Sequence, residues 1–222
     1  YSLAARSPDE MIVVDVLLGQ QEGERPIDAI LAVVDATNLE RNLYLVSQLR
    51  ELGKPLVVAL NMCDLADKRH IEIDTAKLSK ELGAPAVRIC AHKRIGLDDL
   101  REALTRATHQ EKSDPVQGPI YPEALSREVA ALEADLSLRR AEVGRTVPHL
   151  EAFRLLVDRN GYIEKRLARA YSGTTEIIEQ YRKRVTSNGS LAALEARSRY
   201  DWVRRIVAAG VRKPATRMTT AS

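Results

Sequence analysis

The sequence has few cysteines, few aromatic residues and no long apolar run, and each shortage excludes a class of protein. Two cysteines in 222 residues, Cys63 and Cys90, cannot form a disulfide framework, so a reducing, cytosolic compartment is expected. No apolar stretch approaches the roughly 18–20 residues of a membrane-spanning helix, and the N-terminus lacks a secretory signal. Aromatic residues are 4% of the chain, so the core must be aliphatic, which suits helices and buried parallel strands.

The charge is small overall but unevenly distributed. The net charge is +3, yet residues 151–222 hold 15 basic and 7 acidic residues. The most basic part has Asp201 as its one acidic residue, and its cations are Arg197, Arg199, Arg204, Arg205, Arg212, Lys213 and Arg217. Such a stretch is typical of a solvated helix face, of a surface against an anionic membrane, or of a nucleic-acid site. No aromatic ladder or nucleic-acid motif favours the last, so nucleic acid is not an expected partner.

The first half of the chain alternates between predicted strands and helices. Ser7-Pro8-Asp9-Glu10 has the pattern of a capping box, which predicts a helix, although the β-branched residues that follow would also suit a strand. Apolar runs at 29–34, 55–60 and 86–90 are predicted strands, and the first two are expected to be buried on both faces. Helices are predicted between them and after Gly96, with Thr37-Asn38-Leu39-Glu40 as a second capping box. This alternation is typical of βαβ units with a parallel sheet.

The second half of the chain has a different pattern. Residues 109–121 are rich in proline, glycine and polar residues and are predicted to form a linker. Beyond them only helical periods occur, at roughly 122–136, 147–159, 162–171, 174–187 and 190–211. The sequence therefore predicts an α/β domain at 1–108 and a small all-helical domain at 122–222.

The residues after the second predicted strand, Asn61-Met62-Cys63-Asp64, form an Asn-x-x-Asp pattern that resembles the guanine-specificity motif of GTPases. Guanine presents two adjacent N–H donors, and an ionised carboxylate accepts both in a charge-assisted pair. Adenine lacks this pair and would leave the carboxylate desolvated and unpaired, so discrimination is strong. We assign this role to Asp64, and expect Asn61 to join the base-binding loops and Met62 to pack on the base in place of the usual Lys. The alternative is a turn in which Asp64 caps the segment that follows.

The third predicted strand ends in Cys90-Ala91-His92, where GTPases of this class have Ser-Ala-x. There the alanine N–H contacts guanine O6, and only a small residue such as Ala91 leaves room for the base. Cys90 stands in place of the usual Ser as a residue of similar size. The alternative is an ordinary junction between a strand and a helix N-terminus. Ligands bind at the carboxyl ends of parallel strands, so two such motifs on successive strands favour a nucleotide site.

The motifs for phosphate chemistry are missing from the sequence. No Gly-x-x-x-x-Gly-Lys-Ser/Thr occurs. Asp158-Arg159-Asn160-Gly161 matches Asp-x-x-Gly, but it lies in the helical half and is interpreted as a turn between helices. The four histidines show no Cys/His spacing of a metal site, so neither a metal ligand nor a catalytic residue is assigned.

Three parts of the sequence are similar to the ferrous iron transport protein B (FeoB) family. Tyr1-Ser2-Leu3 with Ser7-Pro8-Asp9-Glu10 resembles the segment that follows Asp-Leu-Pro-Gly-Thr there, and residues 35–45 with 60–64 resemble its most distinctive stretch, including Met62. Arg199-Tyr200 and Lys213-Pro214 resemble the segment before the first membrane span. The resemblance implies the C-terminal part of a Ras-like GTPase domain, then a helical domain, then a membrane region absent from this chain. Such an N-terminally incomplete piece is expected to bind nucleotide poorly and not to hydrolyse GTP alone.

The resemblance also implies ligands, partners and location. The ligand would be GTP or GDP, with Mg²⁺ only alongside the missing upstream motifs. The partners would be the membrane-spanning region of the same protein, an anionic membrane surface for the basic tail, and further copies in an oligomer, at the cytosolic face of the bacterial inner membrane. Two alternatives stay open: a soluble GTPase of ribosome or tRNA function, and a non-enzymatic helical adaptor with a vestigial GTPase domain.

Overall fold

A computed structural model describes residues 3–5, 7–20, 25, 27–109, 118–185 and 190–214. Most of the predicted linker, Tyr1-Ser2 and Arg217 lie outside the described residues. The elements in chain order are α1 (Pro8–Leu17), β1 (Ile30–Asp35), α2 (Leu39–Arg50), β2 (Leu56–Asn61), α3 (Cys63–Lys68), β3 (Glu72–Ile73), α4 (Thr75–Leu82), β4 (Ala86–Arg88), α5 (Leu97–His109), α6 (Glu123–Leu138), α7 (Arg140–Val143), α8 (His149–Val157), α9 (Tyr162–Ala170), α10 (Thr174–Arg184), α11 (Leu191–Gly210) and β5 (Val211–Arg212). Among the described helices, none combines the length and apolar character needed to cross a bilayer.

The chain divides into two compact units, each built from two chain segments. The helical unit holds Tyr1–Pro26 and Pro119–Asp201, and the sheet unit holds Ile27–Gly118 and Trp202–Ser222. These units differ from the sequential division at 108 and 122, which stays a prediction. The difference arises because α1 bonds to α9 and because β5 pairs with β3, so both chain ends join units that are distant from them in the sequence.

Helix α1 and the residues just after it bond to α8 and α9 of the helical unit. The Tyr162 hydroxyl donates to Asp15 Oδ2 at 2.5 Å, and Arg166 forms an ion pair with the same carboxylate. Gln20 Nε2 donates to Glu151 at 2.9 Å. The capping box at Ser7 is confirmed, since Ser7 Oγ accepts from the Glu10 N–H and the Glu10 carboxylate accepts from the Ser7 N–H. The segment after Ser7 is therefore a helix and not a strand.

The sheet of three parallel strands has the order β1-β2-β4. Asp35 lies opposite Asn61, and Leu60 lies opposite Arg88, so the carboxyl ends of all three strands meet at one edge. The sequence prediction of a parallel sheet with intervening helices is confirmed. This edge holds both motifs that the sequence singled out.

The two strands predicted to be buried on both faces differ. The central strand β2 is buried along Leu56–Leu60, as predicted. In β1 the burial alternates, and Leu31 and Val33 are 40% and 59% exposed. The prediction was wrong for β1, which is an edge strand of the described sheet, because only one of its faces is covered.

The turn between β1 and α2 is not a capping box. Asp35 Oδ1 accepts hydrogen bonds from the N–H and the hydroxyl of Thr37, both at 2.8 Å. Asn38 precedes α2 without a side-chain hydrogen bond to the helix. The Thr37 hydroxyl is engaged by Asp35, which closes the turn from the strand side.

The C-terminal stretch is neither wholly helical nor wholly on the surface. The short strand β5 pairs antiparallel with β3, and Gly210 O accepts from the Asp74 N–H at 2.8 Å. The prediction that residues 122–222 are all helical was therefore wrong at 211–212. Arg199 is fully buried against Glu195, whereas Arg204, Arg205, Arg212 and Lys213 are exposed.

A buried ionic cluster holds the helical unit. Arg154 donates to both oxygens of Glu195 at 2.6 and 2.8 Å and also pairs with Asp158. Arg199 Nε donates to the same Glu195 carboxylate at 2.7 Å. Burial raises the pKa of Glu195, but Arg154 and Arg199 outweigh it and hold this pKa below its ordinary value.

Glu195→Gln is expected to lower the free energy of unfolding by about 3–5 kcal/mol, because it leaves two buried guanidinium groups without their shared carboxylate. The lowered pKa adds a pH signature. In the parent chain this stabilisation is complete above the pKa of an unfolded Glu, about 4.3, and is lost as pH falls through the lower folded value. Urea unfolding at several pH values measures both effects. Glu142→Gln, at an exposed position on α7, should cost less than ~0.5 kcal/mol, and an equal loss in both variants would contradict this role.

Candidate functional site

Two loops meet at the carboxyl edge of the sheet. One runs from β2 into α3 and holds Asn61 and Asp64; the other leaves β4 and forms a single 3-10 turn, Ala91–Lys93. Asn61 Oδ1 accepts from the Ala91 N–H at 3.1 Å, and the Cys63 N–H donates to Ile89 O at 3.3 Å. These hydrogen bonds hold the two loops together at the edge of the sheet.

Asp64 lies between the two loops and is surrounded by donors. Lys93 Nζ donates to Asp64 Oδ2 at 2.6 Å, and His92 Nε2 lies 3.6 Å from the same oxygen. The hydrogen bond from Lys93, and after it the one from the Cys90 thiol, lower the pKa of Asp64 to about 2. The side chain is 23% exposed. Asp64 is therefore an ionised acceptor within reach of solvent.

Of the two residues between Asn61 and Asp64, Met62 has an exposed side chain and Cys63 a buried one. Met62 has left-handed backbone angles, φ 62° and ψ 32°, and its side chain is 43% exposed. The Cys63 thiol is buried and donates to Leu60 O at 3.1 Å. Met62 thus offers an apolar side chain at the loop surface, whereas Cys63 contributes its backbone and its thiol lies in the core.

The loop after β4 holds the other predicted residues. The Cys90 thiol lies 3.4 Å from His92 Nδ1, and burial followed by the bond to Asp64 raises the pKa of this thiol. The Ala91 N–H, assigned to guanine O6 from the sequence, donates to Asn61 Oδ1 instead. An O6 contact from this group requires that the N–H share or exchange its acceptor.

Sequence reasoning missed two residues of this loop, Lys93 and Gly96. Lys93 follows directly after Cys90-Ala91-His92 in the sequence. The available signal was its positive charge, because a carboxylate, Asp64, was expected next to that motif. Gly96 has φ +75°, and a Cβ there would lie 2.2 Å from Arg88 O. It closes a short bridge in which Cys90 and Ile95 exchange backbone hydrogen bonds at 3.0 and 3.2 Å. No residue type but glycine suits that position.

The site has the means to bind a flat ligand with paired donors. It combines the Asp64 carboxylate with exposed apolar side chains on both loops, Met62 and Ile95, the latter 60% exposed. A carboxylate accepts two parallel N–H donors, and apolar side chains cover an aromatic face. Of the predicted site residues, the structure brings together Asn61, Asp64, Cys90, Ala91 and His92, with Met62 on the same loop.

The sheet topology and the position of these loops place the molecule among the Ras-like G domains, here followed by a helical region. The chain belongs to the ferrous iron transport protein B family, whose model, "Ferrous iron transport protein B", matches residues 1–104. A Fe(2+) transporter FeoB from Legionella pneumophila (strain Paris) is 44% identical over 135 residues. The match covers 59% of this chain and 16% of that relative, so the chain spans a small part of the curated relatives it matches.

Solved structures extend the likeness over both units. The cytosolic domain of L. pneumophila FeoB is 33% identical, with a TM-score of 0.76, over 96% of this chain and 77% of that chain. A structure of NFeoB from S. thermophilus bound to mGMPPNP is 31% identical, with a TM-score of 0.70, over 94% and 75% of the two chains. The fold class predicted from the sequence is therefore confirmed.

Lys93→Met is expected to raise the pKa of Asp64 from about 2 towards its ordinary value of 3.8, because the strongest donor is removed. The folded pKa lies below the unfolded one, so the ion pair stabilises the fold above the ordinary pKa and this contribution is lost as pH falls through about 2. NMR titration of the side-chain carboxyl carbon in the nucleotide-free chain measures the shift. Lys80→Met removes the same charge from α4 as a control, and an unchanged Asp64 pKa in the Lys93 variant would rule out the pairing.

Gly96→Ala is expected to lower the free energy of unfolding by about 1–3 kcal/mol, since the new Cβ would overlap Arg88 O in a strained backbone conformation. Gly53→Ala is the matched control, because Gly53 has a similar φ of +63° but open space around its Cβ position. Denaturant unfolding of both variants compares them. Equal losses would show that only the backbone angle matters and that the close approach does not constrain the loop.

Proposed function

We propose that this chain forms the guanine-binding part of the nucleotide site in the cytosolic region of a ferrous iron transporter. The observation that carries the proposal is the ionised Asp64 carboxylate at the carboxyl edge of the parallel sheet, between loops joined by Asn61 and Ala91. Related solved structures include T. maritima FeoB in GDP and GMPPNP forms and mGMPPNP-bound NFeoB from S. thermophilus. The proposal transfers guanine-nucleotide binding from those relatives to this chain.

The recognition step depends on an exchange of donors at Asp64. In the structure the Lys93 ammonium donates to the Asp64 carboxylate. An ammonium has three donors, but they are not two parallel N–H groups in one plane, as on the edge of a guanine base. A guanine edge would replace it with two parallel N–H groups, N1–H and the 2-amino group, each bonded to one carboxylate oxygen. An adenine edge offers no such pair, so the displaced ion pair would not be compensated.

Each remaining site residue has a proposed part. Asn61 fixes the relative position of the loops through Ala91, and Met62 covers one face of the base with its thioether side chain. Cys63 acts through its backbone, and Cys90 and His92 border the carboxylate. Mg²⁺ is proposed only together with a Gly-Lys phosphate loop, which this sequence does not contain. The residues of the described site do not fit Mg²⁺, which prefers oxygen ligands, because a single carboxylate stands beside a thiol and an imidazole.

The setting of this site in a whole transporter is also a proposal. GTP binding and hydrolysis would regulate or drive Fe²⁺ uptake at the cytosolic face of the bacterial inner membrane, with the membrane-spanning region as partner. The division into a G domain at 1–108, a linker at 109–121 and a helical domain at 122–222 belongs to this proposal. The exposed cations Arg204, Arg205, Arg212 and Lys213 would face anionic lipid, in line with the preference for basic residues on the cytosolic side.

Asp64→Asn tests the base assignment. An amide keeps one acceptor but replaces the other by an N–H donor, so it no longer matches the two donors of guanine and instead matches xanthine, which has N1–H beside a C2 carbonyl. We expect the affinity for labelled GDP to fall by about 10–100-fold, with xanthosine diphosphate preferred over GDP. Fluorescence titrations are made in the 222-residue chain and in the longest open reading frame that contains it.

Asp67→Asn is the matched control for this experiment. Asp67 lies on the same helix, α3, one turn further on, and its carboxylate accepts from Arg88 at 2.6 and 2.8 Å. The same change of charge there should leave GDP affinity within about twofold and create no preference for xanthine. The assignment fails when the Asp64 variant keeps the parent's base preference, or when the Asp67 variant loses it equally.

A further inference from the structure

Three side chains of types that can bind metal ions lie close together at the edge of the sheet. The Cys90 thiol, the His92 ring and the Asp64 carboxylate each place one donor atom within 4.8 Å of the other two. Cys90 and His92 lie on the loop after β4 and Asp64 on the loop after β2, so the sequence spacing does not indicate a metal site. Their proximity is a product of the pairing of β2 with β4.

The distances within the cluster suit a four-coordinate ion. His92 Nε2 lies 3.6 Å from Asp64 Oδ2 and 3.8 Å from Cys90 Sγ. Zinc bonds of about 2.0–2.3 Å at tetrahedral angles place neighbouring ligand atoms roughly 3.3–3.7 Å apart. Two of the three separations are therefore close to those of a tetrahedral site, and the third, between Asp64 and Cys90, is within 4.8 Å.

The donor set selects the kind of ion. Mg²⁺ and Ca²⁺ prefer oxygen ligands, and a thiol with an imidazole is unsuited to either. Sulfur, nitrogen and oxygen together suit Zn²⁺, with Fe²⁺ weaker in the general order of affinities. Three protein ligands leave the fourth position for water.

The loops are held and the cluster is reachable. Backbone hydrogen bonds between Cys90 and Ile95, and the bond from Ala91 to Asn61, fix the loops without involving the three donor atoms. The His92 side chain is 66% exposed and that of Asp64 23% exposed, so an ion can enter from solvent. One group already competes with an ion, because the Lys93 ammonium occupies Asp64.

We propose that Asp64, Cys90 and His92 form a site for Zn²⁺ or a similar divalent transition-metal ion. On binding, the Cys90 S–H proton is released to solvent, the sulfur bonds to the metal, and Lys93 leaves the carboxylate. The ion and a guanine base need the same Asp64 oxygens, so they bind in turn and not together; this second statement rests on the proposed function. Metal binding would thus block the base site.

The metal site is tested in the 222-residue chain without nucleotide, with Co²⁺ as a spectroscopic probe and Zn²⁺ as its competitor. The parent chain should show the thiolate-to-cobalt charge-transfer absorption, which Zn²⁺ abolishes. Cys90→Ser should remove this absorption, and His92→Gln should weaken Zn²⁺ binding at least about tenfold, since even residues that only orient metal ligands are worth 10–100-fold. Lys93→Met should tighten binding because it removes the competing cation.

His70→Gln is the control for the histidine. His70 is exposed in the same unit but is not part of the cluster. Circular dichroism melts establish that each variant is folded, and the exposed His92 makes its variant the decisive one if Cys90→Ser does not fold. The site is refuted if His92→Gln and His70→Gln bind Zn²⁺ equally, or if a folded Cys90→Ser chain keeps the charge-transfer absorption.

Competition is tested separately in the longest reading frame that contains the chain. Added Zn²⁺ should raise the apparent Kd for labelled GDP in the parent and not in Cys90→Ser. Zn²⁺ binding with a GDP affinity that does not respond to Asp64→Asn would leave the metal site standing and overturn the base assignment. GDP binding that responds to Asp64 without Zn²⁺ binding would do the reverse. Simultaneous, independent binding of both would refute the competition.

Discussion

The parallel pairing of β2 with β4 is the constraint on which the site depends. It places Leu60 beside Arg88, so the loops that leave these strands begin at the same edge. Parallel pairing requires a crossover, and α4 supplies it between the cap at Asp74 and the left-handed Gly83. Without this register the ionised Asp64 carboxylate would not lie beside its donors on the other loop, among them Cys90, which is 26 residues away in the sequence.

The Asp64 carboxylate is needed by three different groups. Lys93 donates to it in the structure. In the proposals a guanine edge would donate its two N–H groups to it, and a metal ion would bond to the same oxygens. Ion pairs within reach of solvent contribute little, so the carboxylate exchanges partners at small cost. The backbone bonds between Cys90 and Ile95 hold the loop after β4 through atoms that neither proposed ligand uses. A rigid frame around an exchangeable acceptor would let one small site serve both proposed ligands in turn.

Local signals predicted the elements well and the non-local contacts poorly. The apolar runs were enough to predict the three parallel strands and the two motifs that follow β2 and β4, whereas α3 and β3 were not predicted. The exposure of Val33 depends on whether another layer covers β1, and the contact of Asp15 with Tyr162 joins residues 147 apart. Lys93 was missed for the same reason, since its partner lies on another loop. Propensity and periodicity contain no information on such contacts.

Charge counted along the sequence overstates the basic surface near the C-terminus. Arg199 is buried in the cluster with Glu195, and Lys213 Nζ lies 3.3 Å from Glu40. Arg204, Arg205 and Arg212 remain as exposed cations. Each cation near an anionic membrane contributes about 1 kcal/mol to binding, so three contribute ~3 kcal/mol. This free energy corresponds to a Kd weaker than about 1 mM. This stretch alone would not hold the chain at a membrane, so the proposed location depends on the covalent membrane region and not on surface charge.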